Sequence, residues 1–118
     1  MSWTLLIVDD HAGFRAAARA LLDADPFTVV GEAASGGEGL AEVARLCPEV
    51  VLLDVHLPDR DGFEVAELMV RSPRPPHVLL TSSRSIGDVR ARVAASSAVA
   101  FLSKDQLSPG SLERALHR

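Results

Sequence analysis

The run Val50-Val51-Leu52-Leu53-Asp54-Val55-His56-Leu57-Pro58-Asp59-Arg60-Asp61-Gly62 starts with apolar residues that no polar residue interrupts, stops at an acid, and passes through a Pro and a Gly. Apolar residues without alternation at strand length suit a strand covered on both faces, as in a parallel sheet. Pro58 and Gly62 shape a loop after the strand. Beyond it Phe63, Ala66, Met69 and Val70 recur at helical spacing as far as the Pro73–Pro76 breaker. The segment therefore reads as a strand, a loop with an acid at its mouth, and a helix.

The same unit recurs on either side. Further strands are expected at Leu5–Val8, Thr28–Ala33, Val78–Leu80 and Ala100–Leu102. Phe14, Ala17, Ala18, Leu21 and Leu22 make the apolar stripe of a first helix that ends by Asp25 and Pro26. Ser35 and Glu38 have capping-box spacing ahead of Leu40, Val43, Ala44 and Cys47, with Pro48 closing the segment and Cys47 packed at the helix end. A short fourth helix is expected near Asp88–Ala95, and Ser108-Pro109 opens a last one through Leu112, Ala115 and Leu116. Parallel neighbours need crossovers, which helices supply, so the expected fold is α/β: a five-stranded parallel sheet in a doubly wound (βα)5 flavodoxin-like sandwich. Residues 1–118 form one domain on this reading, since 118 residues enclose one core.

Composition narrows the function. Hydrophobic residues make up 47% and charged residues 24%, as in a globular chain. The net charge of −4, without a basic stripe, argues against direct nucleic-acid binding. A single cysteine excludes an internal disulfide and, with no long apolar run or leader pattern, points to the cytoplasm and away from a membrane.

In an open sheet of this kind ligands sit beyond the carboxyl ends of the strands. Asp9 and Asp10 follow the first strand, Asp54 the third, Thr81 the fourth and Lys104 the fifth. Singly each has an ordinary explanation, as a cap, a strand end or a solvated cation. Together the acids converge, and two unit charges about 4 Å apart repel by about 4 kcal/mol at an effective dielectric near 20, so the cluster calls for a cation or a raised pKa, a hard divalent cation being the simpler answer. Mg²⁺ suits all-oxygen ligands and binds phosphate oxygens. The Pro58–Gly62 loop can turn the His56 carbonyl to the same ion, whereas the His56 imidazole is expected to face solvent and neither the His56 nor the His11 ring is expected to bind the metal. A haloacid-dehalogenase-type phosphatase would need a second acid two residues past the nucleophile, where His56 stands. A flavin binder would need a phosphate loop where Asp9-Asp10 stands.

Asp9-Asp10, Asp54 with Pro58 and Gly62, Thr81, and Phe101 with Lys104 resemble, along essentially the whole chain, the signature set of response regulator receiver domains in two-component signalling. Val8-Asp9-Asp10-His11 and Lys104-Asp105 resemble the receivers that precede a LuxR-type DNA-binding domain. The resemblance implies Asp54 as phosphoacceptor from a histidine kinase, with Asp9, Asp10, Asp54 and the His56 carbonyl as Mg²⁺ ligands. It further implies Lys104 as partner of the phosphoryl group, and Thr81 and Phe101 as the switch that reshapes the surface around the fourth helix and fifth strand. Ser82 is the alternative for the switch hydroxyl, and Ser83 stands where an influence on hydrolysis is expected. Many receivers carry Pro with a cis peptide after that Lys; here Asp105 stands instead, which frees the loop.

On this reading the chain is a switch that assists its own phosphorylation and dephosphorylation, not a dedicated enzyme. It signals alone to a downstream protein or as the front of a longer transcription regulator. Arg84, Ile86, Val89, Arg90 and Phe101 form the expected contact surface, and the fourth-helix face allows weak dimerisation. The competing reading is a receiver-like interaction module that works without phosphorylation.

Overall fold

In the computed structural model, which describes residues 2–83 and 90–117, strands and helices alternate. They are β1 (Trp3–Val8), α1 (Ala12–Leu22), β2 (Phe27–Ala33), α2 (Gly36–Leu46), β3 (Val50–Asp54), α3 (Gly62–Val70), β4 (His77–Ser82), α4 (Arg90–Ala95), β5 (Ala100–Ser103) and α5 (Pro109–Leu116). All strand pairs are parallel, in the order β2-β1-β3-β4-β5. The order reverses between β1 and β3, so the crevice at their carboxyl ends is where an open sheet accepts a ligand.

The unbroken apolar runs lie where burial is greatest. β3 is buried at every position, and β1 and β4 flank it in the sheet centre. Alternate side chains feed two cores. Leu5, Ile7, Val50, Leu52 and Leu79 pack with Ala18 and Leu22 of α1 and Leu112 and Ala115 of α5. Leu6, Val8, Val51, Leu53 and Leu80 pack on the other face with Val43 of α2 and Phe63, Ala66 and Met69 of α3. Burying one such side chain contributes roughly 1.5–3 kcal/mol.

Polar side chains set the helix starts. Ser35 Oγ accepts from Glu38 N at 3.1 Å, and Glu38 Oε1 accepts from Ala34 N at 3.1 Å. Ser108 Oγ accepts from Ser111 N at 2.9 Å while Ser111 Oγ accepts from Ser108 N at 2.9 Å, with Pro109 in the first turn. Asp61 caps α3 through Phe63 N at 2.8 Å. Gly62 is required by a close approach, because a Cβ there would lie 2.3 Å from the Asp54 carbonyl oxygen.

Several expectations need correction. Cys47 is exposed, since the C-cap of α2 takes a left-handed conformation (φ 47°) that turns its side chain outward; Leu46 packs on the core instead. Leu21 is 48% exposed, because the stripe of α1 narrows to Phe14, Ala18 and Leu22. α1 stops at Leu22, ahead of Asp25 and Pro26, with Asp23 as its C-cap. The fourth helix is described from Arg90; Asp88, Val89 and the proposed contact residues Arg84 and Ile86 lie outside the described residues. α4 has no fully buried side chain. Val93 packs at the edge of the α2 and α3 core, and Arg92 pairs with Asp61 at 2.5 Å and lies over the Phe63 ring at 4.3 Å.

Candidate functional site

Asp9 follows the last residue of β1 and Asp54 closes β3, each where a buried apolar run reaches the sheet edge. Asp9 is fully buried, Asp54 is nearly so, and the Asp10 side chain is 33% exposed at the crevice mouth. Lys104, one residue past β5, sets its Nζ 2.6 Å from Asp9 Oδ2 and 3.4 Å from Asp54 Oδ2. Its ammonium also lies 4.2 Å over the Phe14 ring, which shields it from water on the α1 side. The structure therefore brings Asp9, Asp10, Asp54 and Lys104 together.

Backbone donors fix the carboxylates. Asp9 Oδ1 accepts from His11 N at 2.8 Å, and Asp54 Oδ1 accepts from His56 N at 3.0 Å. His56 pairs with Asp61 in a short antiparallel bridge that folds the loop back. Asp59 fastens the loop's outer end by accepting from Gly36 N at 2.8 Å and Gly37 N at 2.9 Å.

Burial pushes the Asp54 carboxyl up from its ordinary range; the His56 N–H and Lys104 oppose the rise and the Asp9 charge adds to it. Asp9 moves the other way. Burial, the largest single influence, would raise it, but Lys104 and the His11 N–H together outweigh burial and hold it low. Two carboxylates thus share one site with their proton affinities pushed apart, Asp9 being the ionised partner of Lys104.

The donor set fits a hard cation. Asp9, Asp10, His11 and Asp54 each bring a donor atom within 4.8 Å of the others. Asp9 Oδ2 has the Lys104 ammonium at 2.6 Å as its ion-pair partner, whereas Thr81 Oγ1 is buried without a hydrogen-bond partner. Buried polar atoms are normally satisfied, so a cation's water or a phosphate oxygen would complete Thr81 Oγ1. The His11 ring is 70% exposed, with Nδ1 3.2 Å from Asp9 Oδ1 and 3.1 Å from Asp10 Oδ1.

Strand register separates the two candidate hydroxyls. Thr81 pairs with Asp54 and continues the side of Leu79, the α1 and α5 side. Ser82 continues the side of Leu80, and Leu80 pairs with Phe101, which packs on the α2 and α3 core. Both hydroxyl residues are fully buried, whereas Ser83 is exposed.

The sequence reading passed over Arg15. Arg15 Nη1 donates to the Asp9 carbonyl at 2.6 Å and Nε to Glu32 Oε1 at 3.2 Å. A cation close to a helix N-terminus opposes the helix dipole, and that was the available signal for a specific role.

The response regulator receiver domain family matches residues 5–117. The chain is 37% identical over 115 residues to a protein-glutamate methylesterase/protein-glutamine glutaminase of Symbiobacterium thermophilum, covering 96% of this chain and 31% of that protein. A putative transcriptional regulator of Pseudomonas aeruginosa is 35% identical over 100 residues, 85% of this chain and 48% of the relative. The chain therefore spans about a third to a half of the length of these curated relatives. Among solved structures, the signal receiver domain of the putative response regulator NarL from Mycobacterium tuberculosis superposes with a TM-score of 0.85 at 31% identity, over 99% of this chain and 98% of that one. The response regulator domain of Thermotoga maritima CheB has the same fold, with a TM-score of 0.85 at 24% identity over 99% of this chain and 96% of that one. With the match running along nearly the whole chain and through the strand-end acids, the protein belongs to the response regulator receiver domains of two-component systems.

Proposed function

We propose that this receiver accepts a phosphoryl group from a histidine kinase on Asp54, with Mg²⁺ held by Asp9, Asp10, Asp54 and the His56 carbonyl. The observation that carries this reading is the convergence of Asp9, Asp10 and Asp54 with Lys104 at the β1/β3 switch point. Bound Mg²⁺ would neutralise charge on the phosphoryl oxygens and the carboxylates. The chain's own residues do the rest. An Asp54 carboxylate oxygen attacks phosphorus while the bond to the donor's leaving group breaks. Lys104 supplies positive charge beside the attacked group, and the loop from His56 to Asp61 holds the acceptor in line.

The switch hydroxyl was expected at Thr81, and its unpartnered Oγ1 beside Asp54 is consistent with contact to a phosphoryl oxygen. One hydroxyl that meets the phosphoryl group and also makes room for Phe101 must lie on the side of Phe101, and that favours Ser82. We therefore place the switch at Ser82 and Phe101.

The chain is on this reading a signalling part and not a dedicated enzyme, working in the cytoplasm with its kinase and passing the signal to a downstream protein or effector domain. The methylesterase and transcription-regulator relatives offer two kinds of output. No described helix is long and apolar enough to cross a membrane.

Intact mass spectrometry after incubation with acetyl phosphate tests the proposal. A phosphoryl-sized adduct is expected with Mg²⁺, and none with chelator or in Asp54→Asn. An unmodified wild-type chain, folded and supplied with Mg²⁺ and several donors, would instead favour an interaction module that works without phosphorylation.

A further inference from the structure

Arg15 and Glu32 belong to no part of the phosphoryl chemistry above, yet they are joined to it. Arg15 lies in α1, six residues past Asp9 in sequence, with its side chain 18% exposed; Glu32, in β2, is 28% exposed. The Arg15 guanidinium bonds the Asp9 carbonyl through Nη1 at 2.6 Å and Glu32 Oε1 through Nε at 3.2 Å. The second Glu32 oxygen accepts from Arg19 Nη1 at 2.9 Å, and Arg19 Nη2 reaches the Val29 carbonyl at 3.4 Å. A planar guanidinium can hold two partners at once in a fixed geometry, which a Lys in its place could not.

Two consequences follow for the acidic cluster. The backbone of Asp9 is held where β1 ends, which sets the directions in which the Asp9 and Asp10 side chains leave the chain. The positive charge of Arg15, close to a site that is to hold a divalent cation, is occupied by Glu32. Without Glu32 that guanidinium would be free to turn to the nearest carboxylates, and an Arg paired with the cluster competes with the metal for the same oxygens.

We infer that Arg15, held by Glu32, is a positioning residue for the metal-binding carboxylates, and that Glu32 keeps the Arg15 charge off them. The inference rests on the Mg²⁺-dependent reading above.

Calorimetric titration of the folded chain with MgCl₂ separates the two. Wild type is expected to bind one Mg²⁺. Glu32→Gln should weaken binding roughly tenfold, because it loosens the tether and releases the charge together. Arg15→Met should weaken it about threefold, through the Asp9 carbonyl alone. In Arg15→Met/Glu32→Gln, the second change should cost less than about twofold, since no charge remains to be released. A role confined to packing would lower the melting temperature of each variant and leave the Mg²⁺ affinities alike, and that outcome overturns the inference, as does a double variant whose losses simply multiply. A wild-type chain that binds no Mg²⁺ would overturn the metal-dependent reading itself, a result distinguishable from either of those.

Discussion

Gly62 shows how tightly a single residue is bound to the site. A Cβ at this position would sit 2.3 Å from the Asp54 carbonyl oxygen and 2.5 Å from Val55 Cα, both backbone atoms that cannot swing aside. Gly62→Ala should therefore cost about 1–3 kcal/mol in urea unfolding, through a shift of the β3–α3 loop. It should also slow phosphoryl acceptance more than an equally destabilising change in the core. Asp54 gives a pH signature. Its carboxyl is raised by burial above the ordinary 3.8, so between those two values the folded chain keeps a proton that the unfolded chain has lost. Stability without metal must then fall as pH rises through that window, and Mg²⁺ affinity must rise through it, because the metal needs the ionised form. Unfolding measured in pH steps with and without Mg²⁺ checks both slopes. Asp9 acts in the opposite sense: its lowered value makes its contribution vanish only as pH falls below 3.8.

At the scale of strands and helices, the alternation of β4 and β5 is what favours Ser82 over Thr81 in the proposed switch. Thr81→Ala and Ser82→Ala remove similar hydroxyls one residue apart on opposite faces of one strand. Hydrogen exchange around Phe101 should respond to phosphorylation in Thr81→Ala as in wild type and lose that response in Ser82→Ala; the reverse pattern would return the switch to Thr81. The elements themselves were legible in the sequence wherever burial dictates pattern. The unbroken runs of β1, β3 and β4 follow from coverage by helices on both faces, and Ser35 and Ser108 mark helix starts by chemistry alone. The strand-end acids were legible for the same reason, since nothing in a buried strand's composition accounts for Asp54. What escaped was relational. Whether Thr81 or Ser82 faces Phe101 depends on register between strands, and the hold of Arg15 on Asp9 depends on how α1 lies against β2. Cys47 read as packed because its spacing continued the stripe of α2, which the left-handed turn at the cap interrupts.

Across the whole molecule the joints are least apolar where α4 meets the rest of the chain. The sheet is sealed between two cores, while α4 has no fully buried side chain: Val93 packs on the edge of the α2 and α3 core, Arg92 pairs with Asp61, and Ser97, just past α4, bonds Glu67. Elements with few apolar contacts open most readily, so a change at the carboxyl edge that shifts α4 has only the Val93 contact with the α2 and α3 core to adjust among the described residues of that helix. Cation binding confined to the folded state should stabilise the entire chain. At a Mg²⁺ concentration about a hundredfold above Kd the gain is about 2.7 kcal/mol, visible as a raised melting temperature that Asp54→Asn reduces. The most direct measurement is to treat the chain with acetyl phosphate and Mg²⁺, reduce it with borohydride, and map the peptides by mass. An acyl phosphate on Asp54 would be reduced to homoserine at position 54 and nowhere else, and only in the sample that contained Mg²⁺. Homoserine at Asp9, Asp10 or Asp59, or at no position in a folded chain, would contradict Asp54 as the phosphoacceptor.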